Sequence, residues 1–311
     1  MRTVRWSWRN RLSVAVVVAA ATAMGGLIGP AANAAPRYGP AQTDWRDAVV
    51  ASIGDPDLLP GGMNRPGCTP REGTRPVVLL NGAFLNKYAT WSKFSPQLAS
   101  AGFCVFGLDY GGPKDGPFHQ VGDLRTSAAE VGEFIDRVRS VTGSDHVDLV
   151  GYSEGGMVPF YYLNVLGGTR HVDTVVTVSS PVRGMSGYGV LDALTSVPQA
   201  REALRRVLPA AVDGAAGSSY FREVSAHGLT RPGVRYVAVS SLADLVVTPH
   251  EARLPAADNV TNVVVQDGCG QDRVFHGSII YDERALRMVQ NALDPSTARP
   301  PGCVPVAPLV G

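Results

Sequence analysis

Residues 147–157 read Val147-Asp148-Leu149-Val150-Gly151-Tyr152-Ser153-Glu154-Gly155-Gly156-Met157. The apolar run Val147 to Tyr152 has the composition of a strand and Met157 to Leu166 that of a helix, so Ser153 falls on the turn between them. In a turn this tight the flanking glycines have a steric task, because larger side chains beside Ser153 would collide with the neighbouring strand and helix. Such a turn presents the serine hydroxyl clear of the backbone, which makes Ser153 a candidate nucleophile. A dinucleotide-binding turn also places glycines after a strand, but it needs G-x-G-x-x-G, and the order Gly151, Gly155, Gly156 does not supply it.

Outward from this turn, short valine-rich runs alternate with helix-like segments. The runs are Pro76 to Leu80, Phe103 to Leu108, Val147 to Tyr152, Val172 to Ser179, Val234 to Ser240 and Val260 to Gln266, each bounded by turn residues. Their composition predicts strands buried on both faces of a mostly parallel sheet. Leu124, Ala128, Val131, Ile135 and Val138 recur at helical spacing and predict a helix lying on that sheet. The alternation defines a doubly wound α/β class, with ligands expected beyond the carboxyl ends of the strands. Residues 184–231 break the rhythm. They are too long for a loop, are helix-like around Asp192 to Val207, and predict a cap inserted above the sheet. Residues 35–75, rich in Pro and Gly, predict an extension draped over the core, with a helix-like patch starting at Asp44-Trp45-Arg46.

The chain begins with Arg2, Arg5, Arg9 and Arg11, an apolar run from Leu12 to Ile28, and Ala32-Asn33-Ala34. That is the pattern of a secretory signal peptide over residues 1–34, cleaved near Ala34, and it leads us to expect an extracellular protein without a transmembrane segment in its mature form. Cleavage removes four arginines and no acids, so the formal charge of +1 becomes −3 and no basic surface points to nucleic acid. The remaining 277 residues suit a single α/β domain over 35–311. Cys68, Cys104, Cys269 and Cys303 form an even set suited to an oxidising compartment. Three pairings are open, of which Cys68 with Cys104 and Cys269 with Cys303 are the most economical. No C-x-x-C or H-x-x-x-H spacing suggests a metal site.

A serine hydroxyl needs a base, and the base needs an acid to orient it, in the chain order Ser, acid, His for this turn type. His119 and His146 precede Ser153, and His171 and His227 precede any well-placed acid. Asp244, just past the run Val234 to Ser240, is the candidate acid, with Asp267 and Asp272 in reserve. His276, past the last run, is preferred as base over His250, which stands only six positions after Asp244 beside Pro249. The oxyanion formed on an attacked carbonyl needs preorganised amides. Glu154 N and Ala83 N, in the turn Asn81-Gly82-Ala83-Phe84, are the candidates.

Together the stretches VVLLNGAF, FCVFGLDYG, GYSEGG, ADLVVTP, QDGCGQD with the following FHG, and NALDP resemble the class 2 lipases secreted by actinobacteria. The resemblance covers most of residues 65–303. It implies the α/β-hydrolase fold, action on triacylglycerols or simpler carboxylic esters, no cofactor, and disulfides in the close pairing; a lipid or small ester, met at a lipid–water interface, is the partner to expect. The family usually has His before the glycine of the oxyanion loop, where this chain has Asn81, whose side chain can hold a turn by hydrogen bonding. Readings further off are a short-chain carboxylesterase, a polyester hydrolase, an acyltransferase, or a binding protein that keeps the fold without the chemistry.

Overall fold

Runs that are predominantly apolar suit a sheet covered on both faces. The computed structural model, which describes residues 35–307, puts all but the last of them there. Residues 1–34, and with them the expected export leader, lie outside the described residues. From Arg37 onward the chain forms one unit.

Six strands, β1 (Val77–Leu80), β2 (Val105–Gly107), β3 (Val147–Tyr152), β4 (Val172–Val178), β5 (Arg235–Ser240) and β6 (Val260–Val264), form one all-parallel sheet in the order β2-β1-β3-β4-β5-β6. The period-two alternation of strand side chains divides the core between the faces. Val78, Leu80, Leu149, Val175 and Tyr236 pack with the helices Leu124–Thr142, Val158–Asn164 and Ser219–Ser225. Leu79, Val150, Tyr152, Val176 and Val239 pack with the helices Lys87–Trp91, Phe94–Ser100 and Glu283–Leu293. The helix Leu124–Thr142 buries the five residues whose spacing announced it; Asp123 caps its start by accepting from the amides of Arg125 and Thr126, and Gly143, at φ 66°, ends it.

The chain leaves β1 towards β2 and later builds outward from β3 in the opposite direction. A crevice therefore opens beyond the carboxyl ends of β1 and β3, where the strand order reverses. Ser153 follows β3 and the Asn81–Phe84 turn follows β1, so both candidates border that crevice.

Three expectations need correction. The run Val260 to Gln266 is not buried on both faces: β6 is an edge strand and stays half-exposed, whereas β2, at the other edge, is covered. Its cover is the 35–75 extension, in which Asn64 N donates to Val105 O at 2.8 Å and the Asn64 side chain exchanges two hydrogen bonds with Gly107. The stretch Asp192 to Val207 is two helices, Val190–Ser196 and Pro198–Val207. Pro198 cannot donate to the previous turn and forces Val197 into an extended conformation, φ −89° and ψ 114°. Neither helix buries a residue, so this half of the expected cap does not pack down on the sheet; Tyr188, Val190, Leu194, Val197 and Val207 stand exposed. The insertion instead anchors through its second half, with Ala210, Val212, Tyr220 and Val224 buried.

The four cysteines form the close pairs, Cys68–Cys104 and Cys269–Cys303, with Cα atoms 5.7 and 5.3 Å apart. Among the described residues no helix is long and apolar enough to cross a membrane.

Candidate active site

Ser153 holds φ 52°, a left-handed conformation that costs a non-glycine residue energy and is kept here by its surroundings. Those surroundings need glycine. A Cβ on Gly151 would lie 2.5 Å from Gly155 O, one on Gly155 would run into the Asn81 carbonyl, and one on Gly156 would meet Ser180 Oγ at 2.5 Å. After the serine, residues Ser153–Gly156 form a 3-10 turn that leads into the helix Val158–Asn164.

The structure brings Ser153, Asp244 and His276 together. His276 Nε2 lies 2.9 Å from Ser153 Oγ, and His276 Nδ1 lies 2.8 Å from Asp244 Oδ2. An ionised carboxylate only accepts, so the Nδ1 proton belongs in the contact with Asp244 and leaves Nε2 free to accept the serine proton. Asp244 is itself fixed, because Oδ1 accepts from the amides of Val246 and Val247 at 2.8 and 2.9 Å. One oxygen thus shapes the turn and the other orients the imidazole. Both Asp244 and His276 are buried, so water competes little for these contacts.

The other candidates lie elsewhere. His250 is exposed in the short helix Pro249–Ala252, which Thr248 and Glu251 close with a capping box. His146 and His171 immediately precede β3 and β4, at the amino ends of the strands and so away from the crevice, and His119 contacts Gly116 O at 2.9 Å. Asp267 and Asp272 shape local turns by accepting from Val264 N and Val274 N.

The Asn81–Phe84 turn presses on Ser153: a Cβ added to Gly82 would stand 3.0 Å from Ser153 Cβ. Asn81 holds the turn with its side chain, donating from Nδ2 to Leu85 O at 2.5 Å, while its carbonyl accepts from the Tyr110 hydroxyl at 2.8 Å. Lys87 N donates to Asp109 at 2.6 Å and Lys87 Nζ ion-pairs with the same carboxylate, pinning the far end of the loop. Ala83 is half-buried on this turn. Glu154 N opens the 3-10 turn, where backbone amides have no acceptor within the helix.

Several members were not singled out from sequence. Asp109 and Tyr110 fall within the stretch FCVFGLDYG but were given no role there, and Tyr152 is the variable position of G-x-S-x-G. The Glu154 carboxyl is buried below the turn, and burial, reinforced by the charge of Asp213, pushes it up to about 8. Asp213, fully buried, bridges Arg125 at 3.0 Å and Arg205 at 3.2 Å, which ties the insertion to the helix Leu124–Thr142. An open polar cavity of about 580 Å³ lies within the insertion, lined by Arg201, Arg205 and Arg222 among others, and includes none of Ser153, Asp244 or His276. Among the described residues no three or more His, Cys, Asp or Glu side chains are grouped to hold a metal ion.

This sheet, with a strand-turn-helix serine at its switch point, is the α/β-hydrolase fold, and the family model for that fold matches residues 75–227. Fold and match support a hydrolase. Aspergillus fumigatus lipase B superposes with a TM-score of 0.59 at 20% identity, over 87% of this chain and 61% of that one. The chain thus spans about three fifths of the fungal lipase. The mature form of Bacillus licheniformis lipase BlEst2 gives 0.55 at 17% identity, over 74% of this chain and 96% of that one. A putative hydrolase from Agrobacterium vitis gives 0.52 at 19%, over 73% and 91%. At these identities the likeness is one of fold. No curated protein sequence matches the chain.

Proposed function

We propose that this chain is a secreted serine hydrolase of carboxylic esters, with acylglycerols as its substrate class, as in the class 2 lipases it resembles. The observation that carries the reading is the hydrogen-bonded series from Ser153 Oγ through the His276 imidazole to Asp244, at 2.9 and 2.8 Å. In this reading Ser153 attacks the ester carbonyl while His276 takes its proton and returns it to the departing alcohol. Asp244 holds the ring and stabilises the imidazolium. The amides of Ala83 and Glu154 receive the oxyanion. Water, deprotonated by the same imidazole, then releases the acid from Ser153.

Export is supported by the leader pattern of residues 1–34 and by two disulfides, which persist in oxidising compartments. A lipid substrate is supported by exposed apolar side chains on the loops that follow strand carboxyl ends: Phe84 after β1, Phe118 after β2, Tyr188 after β4, and Leu242, Leu245 and Val246 after β5.

The test is labelling with a fluorophosphonate, together with rates on glycerol and p-nitrophenyl esters of increasing acyl length. We expect wild type to be labelled once, at Ser153, and Ser153→Ala to lose labelling and hydrolysis while keeping its circular dichroism. Labelling of Ser153→Ala would refute the nucleophile, and rates that fall steadily beyond butyrate would make the chain a short-chain esterase.

A further inference from the structure

Tyr152 is 3% exposed and makes three contacts that meet at the proposed active site. Its hydroxyl donates to the backbone carbonyl of His276 at 2.9 Å. Its ring lies against the His276 imidazole, with centroids 5.2 Å apart and planes at 34°. The backbone of Gly82 rests on the same ring, close enough that a Cβ there would stand 3.0 Å from Cδ1 and 3.1 Å from Cε1. Tyr152 is also the last residue of β3, the central strand from which Ser153 departs. We infer that Tyr152 is a positioning residue that sets the distance between the nucleophile, the base and the oxyanion turn.

The inference rests on the serine-hydrolase reading above and has a physical basis in the loop that bears His276. Residues 265–278 contain no regular helix or strand, so ladder hydrogen bonds do not fix the base. The Tyr152 hydroxyl ties that loop to the end of β3, an interior strand of the sheet. Burial, with the nearby Asp244 charge, raises the phenol well above its ordinary range, so it remains a donor wherever the enzyme is folded. The geometry required between nucleophile and base is narrow, and small displacements cost large factors in rate.

Tyr152→Phe removes the hydroxyl and keeps the ring. We expect kcat on a soluble ester, and the rate of fluorophosphonate labelling, to fall about tenfold, with KM changed less than about twofold. Tyr236→Phe is the control for a structural role. It deletes another buried hydroxyl, one that accepts from Arg231 N at 3.0 Å on the other face of the sheet, and it should lower the melting temperature while leaving kcat intact. Tyr152→Phe with wild-type kcat, with a loss confined to KM, or with a kcat loss that Tyr236→Phe shares would overturn the inference. A Ser153→Ala protein that still hydrolyses esters would instead overturn the function on which it rests.

Discussion

Glu154 has two unlike parts, an amide that opens onto the crevice and a carboxyl buried beneath it. The carboxyl has no hydrogen-bond partner at Oε1 among the described residues, and burial followed by the Asp213 charge raises it to about 8. Its native value lies above the ordinary 4.5, so between about pH 5 and 8 the folded state holds a proton that the unfolded state has released. Stability contributed by this group is present at low pH and is lost as pH rises through that window, at up to about 1.4 kcal/mol per pH unit. Asp148, pushed up to about 7, and Asp282, to about 6, act with the same sign. Glu154→Gln should therefore flatten the decline and be more stable than wild type at pH 9, as read from urea unfolding at pH 5, 7 and 9. A variant whose unfolding midpoints track wild type at all three values would mean that Glu154 is ionised in the folded protein. In the proposed mechanism, activity at the residue scale turns on His276 as the base. His276→Ala is expected to lose at least about 10⁴-fold in kcat, because members of such a set act as a unit. His250→Ala, with its ring in solvent, is expected to match wild type in the same assay.

The loop that carries His276, the proposed base, is held at its start. The Cys269–Cys303 bridge joins it to the C-terminal tail, and the buried Arg284 guanidinium, from the helix Glu283–Leu293, donates to Val265 O, Asp267 O, Pro301 O and Gly302 O. Replacing Cys269 and Cys303 by serine should cost about 2–4 kcal/mol and also lower kcat at temperatures well below unfolding. The matching change at Cys68 and Cys104, remote from His276, should lower the melting temperature alone. Activity and circular dichroism followed over the same temperatures decide this, and equal effects of the two pairs on kcat would count against a link between the tail and the base. How legible such elements are depends on what fixes them. β3 and its turn can be read from sequence because burial on both faces demands an apolar run and the tight turn demands glycine at 151, 155 and 156. Ser153, Asp244 and His276 follow from chain order. Composition cannot say which strand becomes an edge, since strand order is a tertiary outcome, and so the half-exposure of Val260–Val264 escaped it. Pro198 is a local signal for the break in the insertion, and the helix-like reading of Asp192 to Val207 did not use it. The contact from Tyr152 to His276 spans 124 positions and has no local signal at all.

At the scale of the whole molecule, a set of exposed apolar side chains lies at the end of the sheet where the proposed substrate would approach. Phe84, Phe118, Tyr188, Leu242, Leu245 and Val246 issue from four strand ends on one side of the sheet, and the helices Val190–Ser196 and Pro198–Val207 add exposed Val190, Leu194, Val197 and Val207. Scattered exposed leucines need no explanation, whereas a set on loops at one end of the sheet suits the proposed meeting with an apolar surface. The exposure of the insertion changes what it can be expected to do. Side chains that face solvent do not form a closed wall for an acyl chain, but they can enter the surface of a lipid droplet and bring Ser153 to the ester layer. Leu242 and Leu245, 64% and 68% exposed, flank Asp244 without sharing its hydrogen bonds. Each would gain about 1–2 kcal/mol on leaving water, so Leu242→Ser with Leu245→Ser should weaken adsorption to a trioleoylglycerol emulsion by about tenfold or more. Hydrolysis of a soluble butyrate ester should stay within about twofold of wild type, because the Ser153, His276 and Asp244 contacts are untouched. Adsorption can be measured by sedimenting the emulsion, and hydrolysis by titrating released acid. If the double variant lost both activities in equal proportion, the two leucines would support the Asp244 loop. If it adsorbed and hydrolysed the emulsion like wild type, this face would play no part in meeting lipid.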